Sequence, residues 1–66
     1  MDELSRLIKQ NVHGDTEKTY CEISSILDDN LDINSLITWI KINSISRELK
    51  PEEVLNMARF LKKRHA

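Results

Sequence analysis

Among its 66 residues the chain has one cysteine, one glycine, one proline and three aromatic residues. Each scarcity closes off a class of protein. The lone Cys21 cannot form a disulfide within the chain, so a reducing compartment, the cytoplasm, is the expected location. Gly14 and Pro51 are the only strong breakers and valine is scarce, which favours helix over sheet. No apolar run approaches the roughly 20 residues needed to cross a bilayer, so no membrane association is expected. The opening stretch MDELSRLIKQ is acidic and then mixed, unlike a signal peptide.

The length fits one domain, residues 1–66. A chain this short buries roughly 60% of its unfolded surface. It then depends on good helix packing, a metal or a partner chain. A hydrophobic content of 39% supplies a small core and argues against disorder.

The net charge is −1, unevenly distributed. Residues 1–40 carry three basic and eight acidic side chains, and residues 41–66 carry seven basic and three acidic ones. Such a split fits two interaction faces of opposite sign. It also fits helices that collect acids at their starts and bases at their ends.

The apolar spacing predicts four short helices, at about 2–11, 20–28, 33–44 and 51–64, forming an all-α bundle. In the first, Leu4, Leu7, Ile8 and Val12 make one stripe. Gly14 follows, where a left-handed residue costs least. Thr19-Tyr20-Cys21-Glu22 has the form of a capping box, which starts the second helix at Tyr20. That helix would bury Tyr20, Ile23, Ile26 and Leu27. Asp28, Asp29 and Asn30 end it, since carboxylates at a helix C-terminus are unfavourable.

Asp32 suits the N-cap of the third helix, and Leu31 can staple onto Leu36. Ile33, Leu36, Ile37 and Ile40, widened by Trp39 and Ile42, make this helix apolar around most of its circumference. It is therefore expected to be central. Pro51 opens the fourth helix with Glu52 and Glu53 in its first turn, and Leu49 can staple onto Val54.

Residue chemistry points away from catalysis and metal binding. Asp28-x-Asn30-x-Asp32 begins like a calcium loop, but its sixth position is Ile33 and its twelfth Trp39. A calcium loop needs glycine and a bidentate glutamate there. His13, Cys21 and His65 give no pair at zinc-ligand spacing. No glycine-rich phosphate loop and no nucleophile–histidine pair is present. No enzyme activity, cofactor, metal or small-molecule substrate is expected.

The stretch Thr19 to Leu27 resembles the first helix of phage-repressor-like helix-turn-helix domains. That helix commonly reads threonine, two variable residues, glutamate, an aliphatic, a small residue and then leucine three on. Asn30-Leu31-Asp32 is similar to the turn that follows. Ser35-Leu36 and Trp39-Ile40-Lys41 fall where the second helix has its small-aliphatic pair and its anchor. Residues 51–61, PEEVLNMARFL, look like the proline-started closing helix.

The resemblance implies a dimeric DNA-binding transcription regulator of phage or bacterial type. Asn34, Ser35, Thr38 and Lys41 would then face the major groove. Arg47, Lys62, Lys63 and Arg64 would contact phosphate. This chain departs from the family at Asp28 and Asp29, which lengthen the turn and put negative charge where phosphate would approach.

The alternative is a helical protein-binding regulator without DNA binding of its own: an antirepressor, an inhibitor or a chaperone-like adaptor. Tyr20, Trp39, Ile42, Ile45, Leu55 and Phe60 exceed what one small core can hold, and leftover apolar surface marks an interface. The position of Asp28 and Asp29 relative to the polar strip of the third helix separates the two readings.

Overall fold

The computed structural model describes residues 2–64. His65, weighed above as a zinc ligand, lies outside them. The described residues form an all-α bundle of four helices: α1 (Glu3–Asn11), α2 (Thr16–Ile26), α3 (Asn30–Asn43) and α4 (Pro51–Lys63). The fold class is the one expected; two helix starts are not.

α1 is capped by Asp2, whose carboxylate accepts from the Ser5 N–H at 2.8 Å. Its stripe of Leu4, Leu7, Ile8 and Val12 is buried. The chain leaves α1 extended and is pinned there. The His13 N–H donates to the Leu49 carbonyl at 2.8 Å, and the Leu49 N–H donates to the Asn11 carbonyl at 2.9 Å. This short parallel bridge ties the exit of α1 to the entry of α4. Gly14 then turns the chain with φ +93°.

α2 begins a turn earlier than the Thr19 capping box predicts. Asp15 is the N-cap and accepts from the Lys18 N–H at 3.1 Å. Thr19 is inside the helix and buried, its hydroxyl donating to the Asp15 carbonyl at 2.9 Å. Threonine can be buried mid-helix because this bond satisfies its hydroxyl locally. The aspartate cap adds a turn that covers Thr19, and the box is not used.

α3 also begins earlier, with Asp29 rather than Asp32 as N-cap, accepting from the Leu31 N–H at 2.7 Å. Asp32 is buried in the first turn. The expected Leu31–Leu36 staple is not made, because Leu36 is fully buried and Leu31 is 73% exposed. The connection from α2 to α3 is therefore only Leu27 to Asp29, a tight turn and not a lengthened one.

α4 starts as expected, with Pro51 at its first position. The Glu53 carboxylate reaches back to the Lys50 N–H at 3.4 Å. Leu49 and Val54, at the staple positions, are both fully buried.

α1 packs on α2 and α3, and α4 packs on α2 and α3; the diagonal pairs α1/α4 and α2/α3 do not pack on each other. The core lies between the four helices. Ile8, Ile23, Leu36, Ile40, Leu49, Val54 and Leu61 are its largest fully buried side chains. Burying one such side chain contributes about 1.5–3 kcal/mol, and all four helices supply at least one.

This packing corrects the expectation that α3 is central. Each helix has two neighbours, so α3 buries one face, with Asp32, Leu36, Ile37 and Ile40. Of its remaining apolar residues, Ile33 and Trp39 are partly buried against the core, and Leu31 and Ile42 are left outside. The segment Thr19 to Lys41 is thus a helix-turn-helix in chain order, with its two helices on a diagonal of the bundle.

Candidate interface on the third helix

The open face of α3 is defined by what its flanks touch. On one flank, Lys41 pairs with Glu3 of α1 at 2.7 Å. Asn34 lines a cleft of about 300 Å³ there, with Asp2, Glu3, Tyr20, Ile33 and Ile37 among its other walls. That cleft is the gap left because α2 and α3 do not pack together. On the other flank, half-buried Trp39 packs against the core.

Between the flanks lie Leu31, Ser35, Thr38 and Ile42, all exposed. Their spacing of four, three and four keeps them in one arc of the helix. Ile45 continues the spacing just past the helix end. Leu31 is 73% exposed, Ile42 62% and Ile45 83%. Together with Phe60, they are the large apolar side chains left mostly in solvent among the described residues.

Phe60 belongs to the same side of the molecule. Glu53 and Phe60, seven residues apart, run along one flank of α4. Glu53 holds Arg47, from the segment after α3, by two bonds of 2.7 and 3.0 Å. The chain directions are also fixed: Lys62 lies 3.8 Å from Asp28, so the end of α4 meets the start of α3. The two helices are antiparallel, and Phe60 lies beside the N-terminal half of α3.

The residues expected to read DNA are dispersed by these contacts. Asn34, Ser35 and Thr38 are exposed, as a reading strip requires. The Ser35 and Thr38 hydroxyls donate to the carbonyls of Leu31 and Asn34, at 3.0 and 3.1 Å. Lys41, Arg47 and Lys62 each have an acidic partner, in Glu3, Glu53 and Asp28. Lys63 and Arg64 are exposed at the end of α4. Asp29, capping α3, stands at the N-terminal border of the strip.

These pairings are visible in the acids. The Lys41 ammonium holds the Glu3 carboxyl below the usual carboxylate range, and Arg47 does the same to Glu53.

Of the residues expected to form a protein interface, Ile42, Ile45 and Phe60 are exposed. Leu55 is not: it is buried in the core. Trp39 and Tyr20 are half-buried and pack against the core. Leu31 was assigned to a staple, and so its place on this face was missed. The signal for it is the alternating spacing of four and three, which continues to Ile45 on the side opposite Leu36 and Ile40.

Elsewhere, His13 Nδ1 lies 3.5 Å from Glu48, both largely exposed. Cys21 is exposed. No group of three or more possible metal ligands gathers among the described residues, and no helix there is long and apolar enough to cross a membrane. No family model matches the chain, and no curated protein and no solved structure matches it.

Proposed function

We propose that this chain is a small non-enzymatic regulator that acts by binding another protein, in the manner of an antirepressor, an inhibitor or an adaptor. One observation carries the reading. The open face of α3 is apolar at Leu31, Ile42 and Ile45, while the cations nearest it are already matched to acids.

The physical preference follows from what each partner would gain. Duplex DNA is held mainly by cations that release counterions from phosphate. Lys41, Arg47 and Lys62 would first have to leave Glu3, Glu53 and Asp28, and Asp29 would repel the backbone beside them. A protein surface gains by covering exposed leucine and isoleucine, and needs none of those pairs broken. The unpaired Cys21 suits a reducing compartment, so the cytoplasm is the proposed location.

Duplex DNA is the second reading, and one observation favours it. Asn34, Ser35 and Thr38 are exposed on one helix, and Lys63 and Arg64 are exposed on another.

Anisotropy of a labelled mixed-sequence duplex, titrated at about 50 mM salt where phosphate attraction is strong, separates the readings. No saturable binding is expected. Binding that weakens steeply with salt and is lost in Lys63→Ala/Arg64→Ala would overturn the protein-directed reading.

A further inference from the structure

We infer that the occupant of the α3 face is a second copy of this chain, packed antiparallel through α3 about a two-fold axis at Thr38. The inference rests on the reading of that face as a protein interface and names its partner.

The first support is the pattern along the strip. In an antiparallel pair centred on Thr38, Leu31 falls opposite Ile45 of the second copy, and Ser35 within one residue of its Ile42. Thr38 meets Thr38. The large apolar residues lie toward the two ends and the small residues at the middle. Two helices that cross at the middle need small side chains there and large ones where their axes diverge. A two-fold contact also has to be complementary to itself, and this sequence of sizes is.

Charge is the second support. Both ends of α3 are largely balanced within the chain, since Asp28 meets Lys62, Lys41 meets Glu3 and Arg47 meets Glu53. Reversing one copy opposes the two helix dipoles and keeps the two Asp29 carboxylates apart. A parallel pair would instead place Asp29 against Asp29.

Area is the third. Leu31, Ile42, Ile45 and Phe60 leave apolar surface on the order of 400–500 Å² per copy, the size at which an exposed patch marks an interface. Covering it on two copies removes roughly 800–1,000 Å², at the lower limit for a specific association. Phe60, beside the N-terminal half of α3, would close over Ile42 and Ile45 of the second copy. A 66-residue chain whose single cysteine is unpaired also gains from such a partner.

The test is disulfide trapping in a Cys21→Ser chain, together with sedimentation equilibrium. Mixed Ser35→Cys and Ile42→Cys chains should link to each other on mild oxidation, and neither should link to itself. The unsubstituted chain should sediment with a mass that rises toward a dimer's with concentration. Ile42→Asp should weaken that association roughly hundredfold by burying a charge, and Ser25→Asp, exposed on α2, the helix diagonal to α3, should not.

Self-linking of Ser35→Cys at the rate of the mixture would overturn the antiparallel register. A monomer at every concentration, with no mixed disulfide, would overturn the second copy. The duplex titration fails separately. Duplex binding would sink the protein-directed reading and leave the trapping result to stand or fall alone. Absence of both would leave a different protein as partner.

Discussion

The hydroxyl of Tyr20, on α2, donates a hydrogen bond to the carboxylate of Asp2, the residue that caps α1. One oxygen of that carboxylate starts a helix and the other ties it to the next. The Tyr20 bond, and after it the Ser5 N–H, hold the Asp2 carboxyl below its ordinary value. The same bond raises the Tyr20 phenol.

The pH dependence follows from these directions. A carboxyl lowered in the folded state contributes stability above its unfolded value, and the contribution is lost as pH falls through the folded one. Asp2, Glu3 and Glu53 all act this way. Tyr20 is the reverse: its contribution is present below the ordinary phenol value and lost as pH rises through the raised one. Stability should therefore decline on acidification below about pH 4. In Tyr20→Phe the alkaline loss should disappear, and the Asp2 carboxyl should titrate closer to its ordinary value by NMR. Asp2 and Glu3 are exposed and Tyr20 and Glu53 partly so, so the effects should be small and shrink with added salt.

The start of α2 can be tested by moving the cap. Asp15 accepts from the Lys18 N–H, whereas Thr19 lies inside the helix. Asp15→Ala should cost about 1 kcal/mol, the usual value of a lost N-cap. Thr19→Val keeps the shape and removes a hydroxyl whose acceptor, the Asp15 carbonyl, still takes the Thr19 N–H at 3.1 Å. It should cost less than Asp15→Ala. Urea midpoints at unchanged slope measure both. The reverse order would return the cap to Thr19.

These two residues show where the sequence could be read and where it could not. Helix number and type follow from spacing, and Leu4, Leu7, Ile8 and Val12 are legible as core because the first helix has one clear stripe. The starts of α2 and α3 were not, because two caps compete at each. Asp15 and Thr19 can each open α2, as Asp29 and Asp32 can each open α3. In both cases the earlier aspartate wins and the later residue is buried. The site was half legible for a related reason. A helix that is apolar on several sides implies a central position, but a square of four helices gives each only two neighbours. The surplus at Leu31 and Ile42 is therefore exposed.

Leu55 and Phe60 both flank the α4 core stripe, and the fold separates them. Leu55 is 9% exposed, with Thr19 and Pro51 lining the same hollow, and Phe60 is 56% exposed. Leu55→Ala should destabilise the chain by roughly 2–5 kcal/mol, as core truncations do. Phe60→Ala in dilute solution should change stability by only about 0.5 kcal/mol. Thermal or urea unfolding at low concentration keeps any association from contributing to the second value.

Gly14 is the one described residue with positive φ, at +93°. Space does not demand glycine there, since an added Cβ would meet the Pro51 Cγ at 3.5 Å, an ordinary contact. The backbone does, because an L-residue in this region loses roughly 1–2 kcal/mol. Part of that is offset, as alanine also restricts the unfolded chain by about 0.4–1 kcal/mol. Gly14→Ala should thus cost on the order of 1 kcal/mol at unchanged urea slope. The two explanations separate in a double-mutant cycle. If the penalty came from crowding against the proline ring, Pro51→Ala would relieve it. The backbone origin requires the same penalty in the Pro51→Ala background, within the few tenths of a kcal/mol by which independent sites add.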